Sequence, residues 1–295
     1  IFSMTKFLLK SGIRANAVSR AHAQQEKEVH PQSRLFPITN GVNLTRWQAP
    51  EFQGRAVEEV SDEELWHIHA NYRQALVKRV NEQTPATFNG HALTVVWARR
   101  FAAYKRPTLL FKKPERLQKL LTYKTRPIQF IISGQPNVSD EEGVALLKEI
   151  LQFTQNPLFA GKIVWLPNYS LALAKKLVWG ADVWLNTPRP GLEASGTSGI
   201  KSAISGGLQF STHEGWVDEV SWPGRGWILP EADIESRLYD MLEEEIVPLF
   251  YERDAQGLPR QWLAMMRSSM TFIQKEYSTK RVLEDYLKKL YFPHL

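Results

Sequence analysis

The stretch LTVVWARRFAAYKR, residues 93–106, joins a short apolar run to a dense group of cations. Four further apolar runs follow it, and a segment with helical character separates each run from the next. With the first, they span residues 93–97, 128–132, 163–166, 183–185 and 208–211. Short apolar strands that alternate with helices are typical of a parallel sheet covered on both faces. The sequence therefore predicts an α/β fold, a doubly wound, Rossmann-like sheet with right-handed crossovers.

Helices are predicted between and around these strands. The helices between strands span residues 114–123, 139–153, 170–179 and 198–205. Ser61 followed by Glu64 indicates a capping box for a helix that ends near Gln83. Two helices are predicted behind the sheet, at 234–251 and 259–290. Lysines interrupt the run 1–10, which is therefore interpreted as a helix rather than as a signal peptide.

Composition excludes several classes of protein and site. The 295 residues are 43% hydrophobic and 23% charged, as in ordinary globular chains. The chain has no cysteine, which excludes disulfides, thiolate zinc sites and cysteine nucleophiles, and favours a cytoplasmic location. No window approaches about 18 apolar residues, so no membrane association is expected. No metal site is expected, because His67 and His69 would point in different directions from a helix.

The net charge of +6 is modest and suits an anionic ligand such as a phosphate or a sugar phosphate. Most aromatic residues fall in apolar strand or helix positions, so a nucleic-acid partner is not expected. Ligands of open α/β sheets bind beyond the carboxyl ends of the strands. Residues 99–106, after the first predicted strand, carry four cations in eight positions without a neighbouring acid. Spacing alone leaves two interpretations open, a solvated basic face and a phosphate clamp.

A second chemically rich loop, residues 186–201, follows the fourth predicted strand. Its glycines and serines allow a ligand to approach the backbone, although such a loop is often only a turn. Lys201 is predicted in the first turn of the next helix, where the macrodipole disfavours a cation. An uncharged lysine there could form a Schiff base with an aldehyde cofactor. Tyr169 follows the third strand, where a phosphate cap and a purely structural role both remain open.

The segment EASGTSGIK, Glu193 to Lys201, resembles the pyridoxal-phosphate segment of the α-glucan phosphorylases, which act on glycogen, starch or maltodextrin. Four other blocks resemble the same family in order, especially its shorter bacterial and archaeal branch. They are ITNGVNLTRW (38–47), WARRFAAYKR (97–106), LPNYSLALAKKLVWGADVWLN (166–186) and YSTKRVLEDY (277–286). Together these blocks span nearly the whole chain.

The resemblance implies a glycosyltransferase of the two-domain GT-B type, with the glucan and the cofactor between the domains. Residues 1–46 would be the end of the amino-terminal domain, and the rest of that domain would be absent from this chain. Residues 47–295 would be the carboxy-terminal, cofactor-binding domain, with its terminal helices crossing back. The implied partners are the missing amino-terminal domain and, in the complete protein, a second copy in a homodimer.

The resemblance also implies a reaction and a site. Inorganic phosphate would cleave an α-1,4-glucan reversibly to α-glucose 1-phosphate, a step of glycogen metabolism. Lys201 would hold pyridoxal 5'-phosphate covalently, with Thr197 and Tyr169 near the cofactor phosphate. Arg100 and Lys105 would bind the substrate phosphate and the cofactor phosphate. The transferred glucose would be held by Glu193, Ala194, Ser195 and Gly196, and from the other side by Asn40.

The chain departs from the family pattern at several positions. Ala102 and Ala103 replace a His and a Glu of the long animal branch. The turn 133–136 reads SGQP, which leaves a family lysine contact in doubt. Asn43 stands where the short branch often has His, and Glu214 stands where Asp is usual.

Two other functions remain open. A nucleotide-sugar glycosyltransferase of the glycogen-synthase type often has a second glutamate at the position of Lys201, where it holds the nucleotide ribose. An ammonium group only donates hydrogen bonds, so it cannot replace that carboxylate, which favours the phosphorylase. A non-catalytic carbohydrate-binding half-enzyme would retain the same motifs without turnover.

Overall fold

The computed structural model describes residues 3–12 and 14–292. Its eight strands are β1 (Ala15–Ala17), β2 (Leu35–Pro37), β3 (Leu93–Ala98), β4 (Ile128–Ser133), β5 (Ile163–Leu166), β6 (Val183–Asn186), β7 (Leu208–Ser211) and β8 (Gly226–Ile228). The α-helices are α1 (Met4–Ser11), α2 (Arg20–Val29), α3 (Leu44–Trp47), α4 (Asp62–Gln83), α5 (Pro114–Leu121), α6 (Glu141–Gln155), α7 (Leu171–Gly180), α8 (Ser198–Ala203), α9 (Ile234–Met241), α10 (Val247–Tyr251), α11 (Arg260–Glu276) and α12 (Thr279–Tyr286).

Strands β3 to β8 form one parallel sheet in the order β5-β4-β3-β6-β7-β8. The direction of winding reverses between β3 and β6, which pair through Val95 with Val183 and Val96 with Trp184. In such sheets the crevice beyond the carboxyl ends of these two strands is the usual ligand site. The predicted doubly wound sheet is confirmed, and its switch point lies between the two loops that the sequence singled out.

Apolar side chains cover both faces of the sheet. Every residue of β3 and β4 is buried. Val95 and Trp97 belong to a cluster on one face that includes residues of α5, α10 and α11, whereas Val96 packs with residues of α4 and α7 on the other. Each fully buried aliphatic or aromatic side chain contributes about 1.5–3 kcal/mol. The two-sided burial explains why these strands are continuous apolar runs rather than alternating ones.

A buried charge network holds the amino ends of the two central strands together. Asp182, directly before β6, accepts hydrogen bonds from Arg73 Nη1 at 2.6 Å and from the Thr94 backbone N–H of β3 at 2.8 Å. His69 Nε2 lies 3.0 Å from the same carboxylate. Burial opposes ionisation of Asp182, but the charge of Arg73 and the contact with His69 outweigh it and keep the pKa of Asp182 below its usual value. The network connects α4 to the amino ends of β3 and β6, at the edge of the sheet opposite the ligand crevice.

The five predicted strands are confirmed, and three of them are one residue longer than expected. The helix after Ser61 is also confirmed, since Glu64 N–H donates to the Ser61 hydroxyl at 3.1 Å. The run 1–10 forms α1 from Met4 onward, while Ile1 and Phe2 lie outside the described residues. The short strands β1, β2 and β8 were not predicted because three residues carry too little periodicity.

The prediction of one helix over 259–290 is wrong. Helix α11 ends at Glu276, and α12 begins after Ser278, whose hydroxyl accepts from Arg281 N–H. Val42 pairs with the backbone at this break, because its N–H donates to Tyr277 O at 2.8 Å and its carbonyl accepts from Thr279 N–H at 2.9 Å. A distant strand-like contact therefore accompanies the interruption of the helical pattern. Within the described residues, no helix has the length and apolar character needed to cross a bilayer.

Gly134, directly after β4, is required by the turn that supports the end of β3. Its φ is +125°, and a Cβ there would lie 1.9 Å from the Arg99 carbonyl oxygen. Gly134→Ala is expected to lower the free energy of unfolding by at least about 2 kcal/mol, since strain and clash act together. Urea denaturation measures the loss.

Gly161→Ala is the matched control, because Gly161 has φ +76° and open space around its Cβ position. It should cost only the left-handed backbone penalty of about 1 kcal/mol. Equal losses in the two variants would contradict the predicted clash with Arg99.

Candidate active site at the sheet switch point

The basic segment after β3 and the loop after β6 are hydrogen-bonded to each other. Thr187 Oγ1 donates to Lys105 O at 2.9 Å and accepts from Trp97 Nε1 at 3.1 Å. Arg189 N–H donates to Tyr104 O at 2.7 Å. The predicted cation-rich segment and the glycine-rich loop therefore form one wall of the crevice.

Glu193 is the centre of a buried ion cluster in this wall. Its Oε2 accepts from Arg99 Nη2 at 2.7 Å and from Lys105 Nζ at 2.5 Å. The Arg99 and Lys105 side chains are only 4% and 8% exposed. Burial acts to raise the pKa of Glu193, but the charges of Arg99 and Lys105 outweigh it and lower that pKa. Glu193 is thus held as a carboxylate, to which the Tyr104 side chain also donates a hydrogen bond.

Glu214, in the loop after β7, is a second carboxylate on the same guanidinium. Its Oε2 lies 3.4 Å from Arg99 Nη2. Burial raises the pKa of Glu214 to about 7, Arg99 opposes the rise, and the charge of Glu193 adds to it. Two buried polar atoms of this pair, Glu214 Oε1 and Arg99 Nη1, have no hydrogen-bond partner among the described residues. Such atoms indicate a place for a ligand or for water.

Two glycines allow the loops to meet. Gly215 packs so closely on the other loop that a Cβ there would lie 2.4 Å from Ser195 Cα, and Trp216 N–H donates to Ser195 O at 3.1 Å. Gly196 has φ +71°, and a Cβ there would lie 3.5 Å from Glu214 Oε1. The backbone at Gly196 therefore passes directly beside both carboxylates.

Lys201 lies on the six-residue helix α8, with its Nζ 4.0 Å from the centroid of the Trp47 ring. Lys201 is the fourth residue of this helix, and its N–H donates to Thr197 O at 3.1 Å, so it belongs to the first turn as well as to the last. Burial first, and the nearby charge of Arg46 second, lower its pKa. Within the described residues, no carboxylate forms an ion pair with its amine. The structure thus provides a different physical reason for a lysine that loses its proton easily.

The other residues predicted to bind the sugar or the cofactor lie around the Glu193 ion cluster and make different contacts. Ser195 is buried, and the Ala194 carbonyl accepts from the Ser19 hydroxyl at the start of α2. Thr197 is the residue before α8, and its side chain makes no capping bond. Asn40 follows the small β1–β2 sheet, where its N–H donates to Val18 O at 3.0 Å. Ser19 therefore connects the start of α2 to the site loop, while the predicted contact of Asn40 with the sugar stays a prediction.

Arg100 and Tyr169 do not belong to the ion cluster. The Arg100 side chain is exposed and makes no ion pair with any described residue, and Tyr169 is 42% exposed. Their predicted phosphate contacts stay predictions. The residue that sequence reasoning missed is Arg99, which it counted only as part of the basic run. Glu214 was noted only as a departure from a family pattern. Its position beside a glycine, after an apolar strand, was the sequence signal that could have marked it as a site residue.

Comparisons with known proteins agree with this geometry. The family model described as carbohydrate phosphorylase matches residues 45–221, which include the basic segment after β3 and the loops after β6 and β7. The chain belongs to the carbohydrate phosphorylase family. Among curated relatives, the glycogen phosphorylase of Mycobacterium bovis is 34% identical over 99% of this chain, and that of Aquifex aeolicus is 30% identical over 98%. The maltodextrin phosphorylase of Thermococcus litoralis is 31% identical over 98% of this chain.

These three phosphorylases are much longer than the present chain. The alignments cover 40%, 49% and 41% of their respective lengths. The predicted family resemblance is confirmed, and the chain corresponds to less than half of each relative. Within the described residues, no three His, Asp or Glu side chains form a group that could hold a metal ion.

Glu193→Gln should destabilise the chain at neutral pH. The folded pKa of Glu193 is lowered, so its contribution is present above the ordinary value of 4.5 and is lost as the pH falls through the folded pKa. We expect a loss of about 2 kcal/mol at pH 7, because two buried cations lose their shared partner. The loss should shrink toward pH 3 in urea denaturation.

Glu231→Gln is the matched control for Glu193→Gln. Glu231 pairs with Arg106 at 2.6 Å but is 42% exposed. Removal of such an exposed pair is expected to cost less than about 1 kcal/mol. A Glu193→Gln loss no larger than this control would contradict the buried ion cluster.

Glu214→Gln should have the opposite pH signature. The folded pKa of about 7 exceeds the ordinary value of 4.5, so ionisation of Glu214 disfavours the folded state progressively between these pH values. The variant is expected to equal the parent below pH 4.5 and to be more stable by about 3 kcal/mol above pH 7. Unfolding curves across this range measure the difference, and a variant that is less stable at pH 8 would contradict the expectation.

Proposed function

We propose that this chain is the cofactor-binding and phosphate-binding part of an α-glucan phosphorylase. The reaction is the reversible, pyridoxal-phosphate-dependent phosphorolysis of an α-1,4-glucan to α-glucose 1-phosphate. The observation that supports it most is the buried Arg99–Glu193–Lys105 cluster, in a chain of the carbohydrate phosphorylase family whose Lys201, on the helix after the same loop, has a lowered pKa. Relatives named as glycogen and maltodextrin phosphorylases support the substrate class.

The residues at Lys201 fit an aldehyde cofactor. Covalent attachment needs an unprotonated amine, and Lys201 combines a lowered pKa with the absence of a carboxylate partner among the described residues. We propose that Lys201 holds pyridoxal phosphate, with Thr197, Tyr169 and Lys105 near its phosphate. When bound, the cofactor supplies a phosphate group that exchanges protons with the substrate phosphate.

The cations of the crevice fit a phosphate substrate. Two phosphate groups close together repel strongly in a dry site, so several cations must neutralise them. Lys105 and Arg99 are already fixed by Glu193, and Arg99 Nη1 is free to donate. Arg100, exposed at the end of β3, is the cation free to reach the substrate phosphate. Planar guanidinium donors suit phosphate oxygens.

The loop after β6 fits a sugar. Glu193 offers a carboxylate oxygen to glucose hydroxyls, and Ala194, Ser195 and Gly196 offer backbone groups from a turn with small side chains. Asn40 would complete the contact from residues 15–40. Positive charge that develops on the sugar in the transition state would be stabilised by the adjacent phosphate.

The part of the relatives that this chain does not cover would supply the facing GT-B domain and the dimer contacts. Residues 1–46 as the end of that domain and 47–295 as the second domain remain our proposal, as does a cytoplasmic location. A nucleotide-sugar enzyme is less consistent with the phosphorylase family match and with Lys201. A non-catalytic carbohydrate-binding half would differ only in turnover.

Reductive labelling tests the cofactor assignment. The chain is incubated with pyridoxal phosphate, reduced with borohydride, digested and analysed by peptide mass. The label is expected on Lys201, because its amine is the half-buried one with a lowered pKa. Lys201→Ala should lose the label and the absorption of the bound cofactor while the sheet remains folded.

Lys112→Ala is the matched control, since Lys112 is exposed and should leave the labelling unchanged. A label that stays in Lys201→Ala, or that maps to another lysine, would defeat the assignment. Release of glucose 1-phosphate after addition of the uncovered amino-terminal half would distinguish an enzyme from a binding half.

A further inference from the structure

The ion cluster at the switch point can change its net charge by one unit. Arg99 and Lys105 contribute two positive charges, and Glu193 contributes one negative charge. Glu214 decides the balance, because the cluster is neutral when Glu214 is ionised and carries +1 when Glu214 is protonated. A neutral buried cluster has little attraction for an anion, whereas a cationic one attracts it strongly.

The geometry of the cluster is incomplete at two neighbouring groups. Glu214 Oε1 and Arg99 Nη1 are both buried without a hydrogen-bond partner in the described part of the chain. Arg99 Nη2, on the same guanidinium, is already shared by Glu193 Oε2 at 2.7 Å and Glu214 Oε2 at 3.4 Å. A bound oxyanion would accept a hydrogen bond from Arg99 Nη1. Protonation would convert Glu214 Oε1, which now lacks a donor, into a hydroxyl that can itself donate a hydrogen bond.

We propose that Glu214 takes up one proton when an oxyanion binds at Arg99 and Lys105, so that anion binding to this site is coupled to proton uptake. The proton comes from the solvent and forms an O–H bond on the Glu214 carboxylate. The negative charge of the bound anion thus replaces the negative charge that Glu214 loses on protonation. This inference rests on the proposed function, for which the oxyanion is phosphate.

The groups that face Glu214 favour this coupling. Arg99, at the end of β3, and Lys105 act to keep Glu214 ionised, and Glu193 from the loop after β6 acts to protonate it. Its own loop carries His213 and Asp218, which pair with each other at 2.8 Å on the exposed side. Burial raises the pKa of Glu214 to about 7 before any ligand is present. A bound anion acts in the same direction as Glu193 and raises that pKa further.

Sulfate is the sharpest probe, because it stays a dianion across the range in which phosphate itself titrates. Binding of sulfate to the 295-residue chain is measured by calorimetry from pH 5.5 to 9, in buffers of different ionisation enthalpy. The affinity is expected to fall by up to tenfold per pH unit above about 7. At pH 8 the buffer dependence should show uptake of up to one proton per sulfate.

Glu214→Gln imitates the protonated carboxyl group. It is expected to bind sulfate without proton uptake and with little change in affinity from pH 6 to 9. His213→Gln is the matched control, since His213 adjoins Glu214 in sequence but faces Asp218. This control should keep the parent's pH dependence and its proton uptake.

Glu214→Asp tests the same coupling without removal of the carboxylate. Because aspartate has a lower intrinsic pKa, by about half a unit, the pH at which affinity begins to fall should move down by a similar amount. This variant also decides the case in which Glu214→Gln fails to fold.

Three results would overturn the inference. They are the absence of sulfate binding at pH 6, a parent affinity that does not change with pH, and a Glu214→Gln variant that retains the parent's proton uptake. A loss of the pH dependence in His213→Gln would assign the proton to His213 instead. None of these results affects the labelling of Lys201, so failure of this inference and failure of the proposed function remain distinguishable.

Discussion

The Arg99 guanidinium is the group on which the architecture of the crevice depends. Its backbone leaves β3 against Gly134 of the turn after β4, where a side chain would collide with its carbonyl. Its Nη2 donates to Glu193 from the loop after β6 and lies 3.4 Å from Glu214 of the loop after β7. The segments that follow four neighbouring strands of the sheet thus all meet at Arg99. Because parallel strands end at the same edge, only a charge at that edge can be shared in this way.

The two carboxylates on Arg99 have pKa values shifted in opposite directions, although burial acts to raise both. Glu193 has two cations within hydrogen-bond distance, and they overcome the cost of burial. Glu214 is more deeply buried, has only the longer contact with Arg99, and is repelled by Glu193. Neighbouring acidic groups whose pKa values are shifted in opposite directions are common at sites that transfer protons or bind anions. In this chain, that property is located at the site for which we propose phosphate binding.

The segment before the large sheet also contributes to the site. Ser19 donates to the Ala194 carbonyl, and Thr39 Oγ1 donates to Glu219 at 2.7 Å in the turn that follows Glu214. A Cβ at Gly191 would lie 2.4 Å from Gln25 Nε2 of α2, so this helix packs directly on the glycine-rich loop. The β1–β2 unit therefore supports the loop from outside.

Sequence alone determined the parallel sheet, because each buried strand is a continuous apolar run, and it determined the start of α4, because Ser61 caps its own helix locally. It also singled out Lys201 and Glu193 as candidate site residues, since their motif is contiguous, and their roles stay predictions. Tertiary structure decided which arginine is buried, because Arg99 and Arg100 are adjacent and only the sheet distinguishes inside from outside. It also decided the pKa of Glu214, which depends on burial and on charges from other loops. The backbone contacts at the break between α11 and α12 likewise involve Val42, a residue far away in the chain, whereas the Ser278 cap at the same break is local.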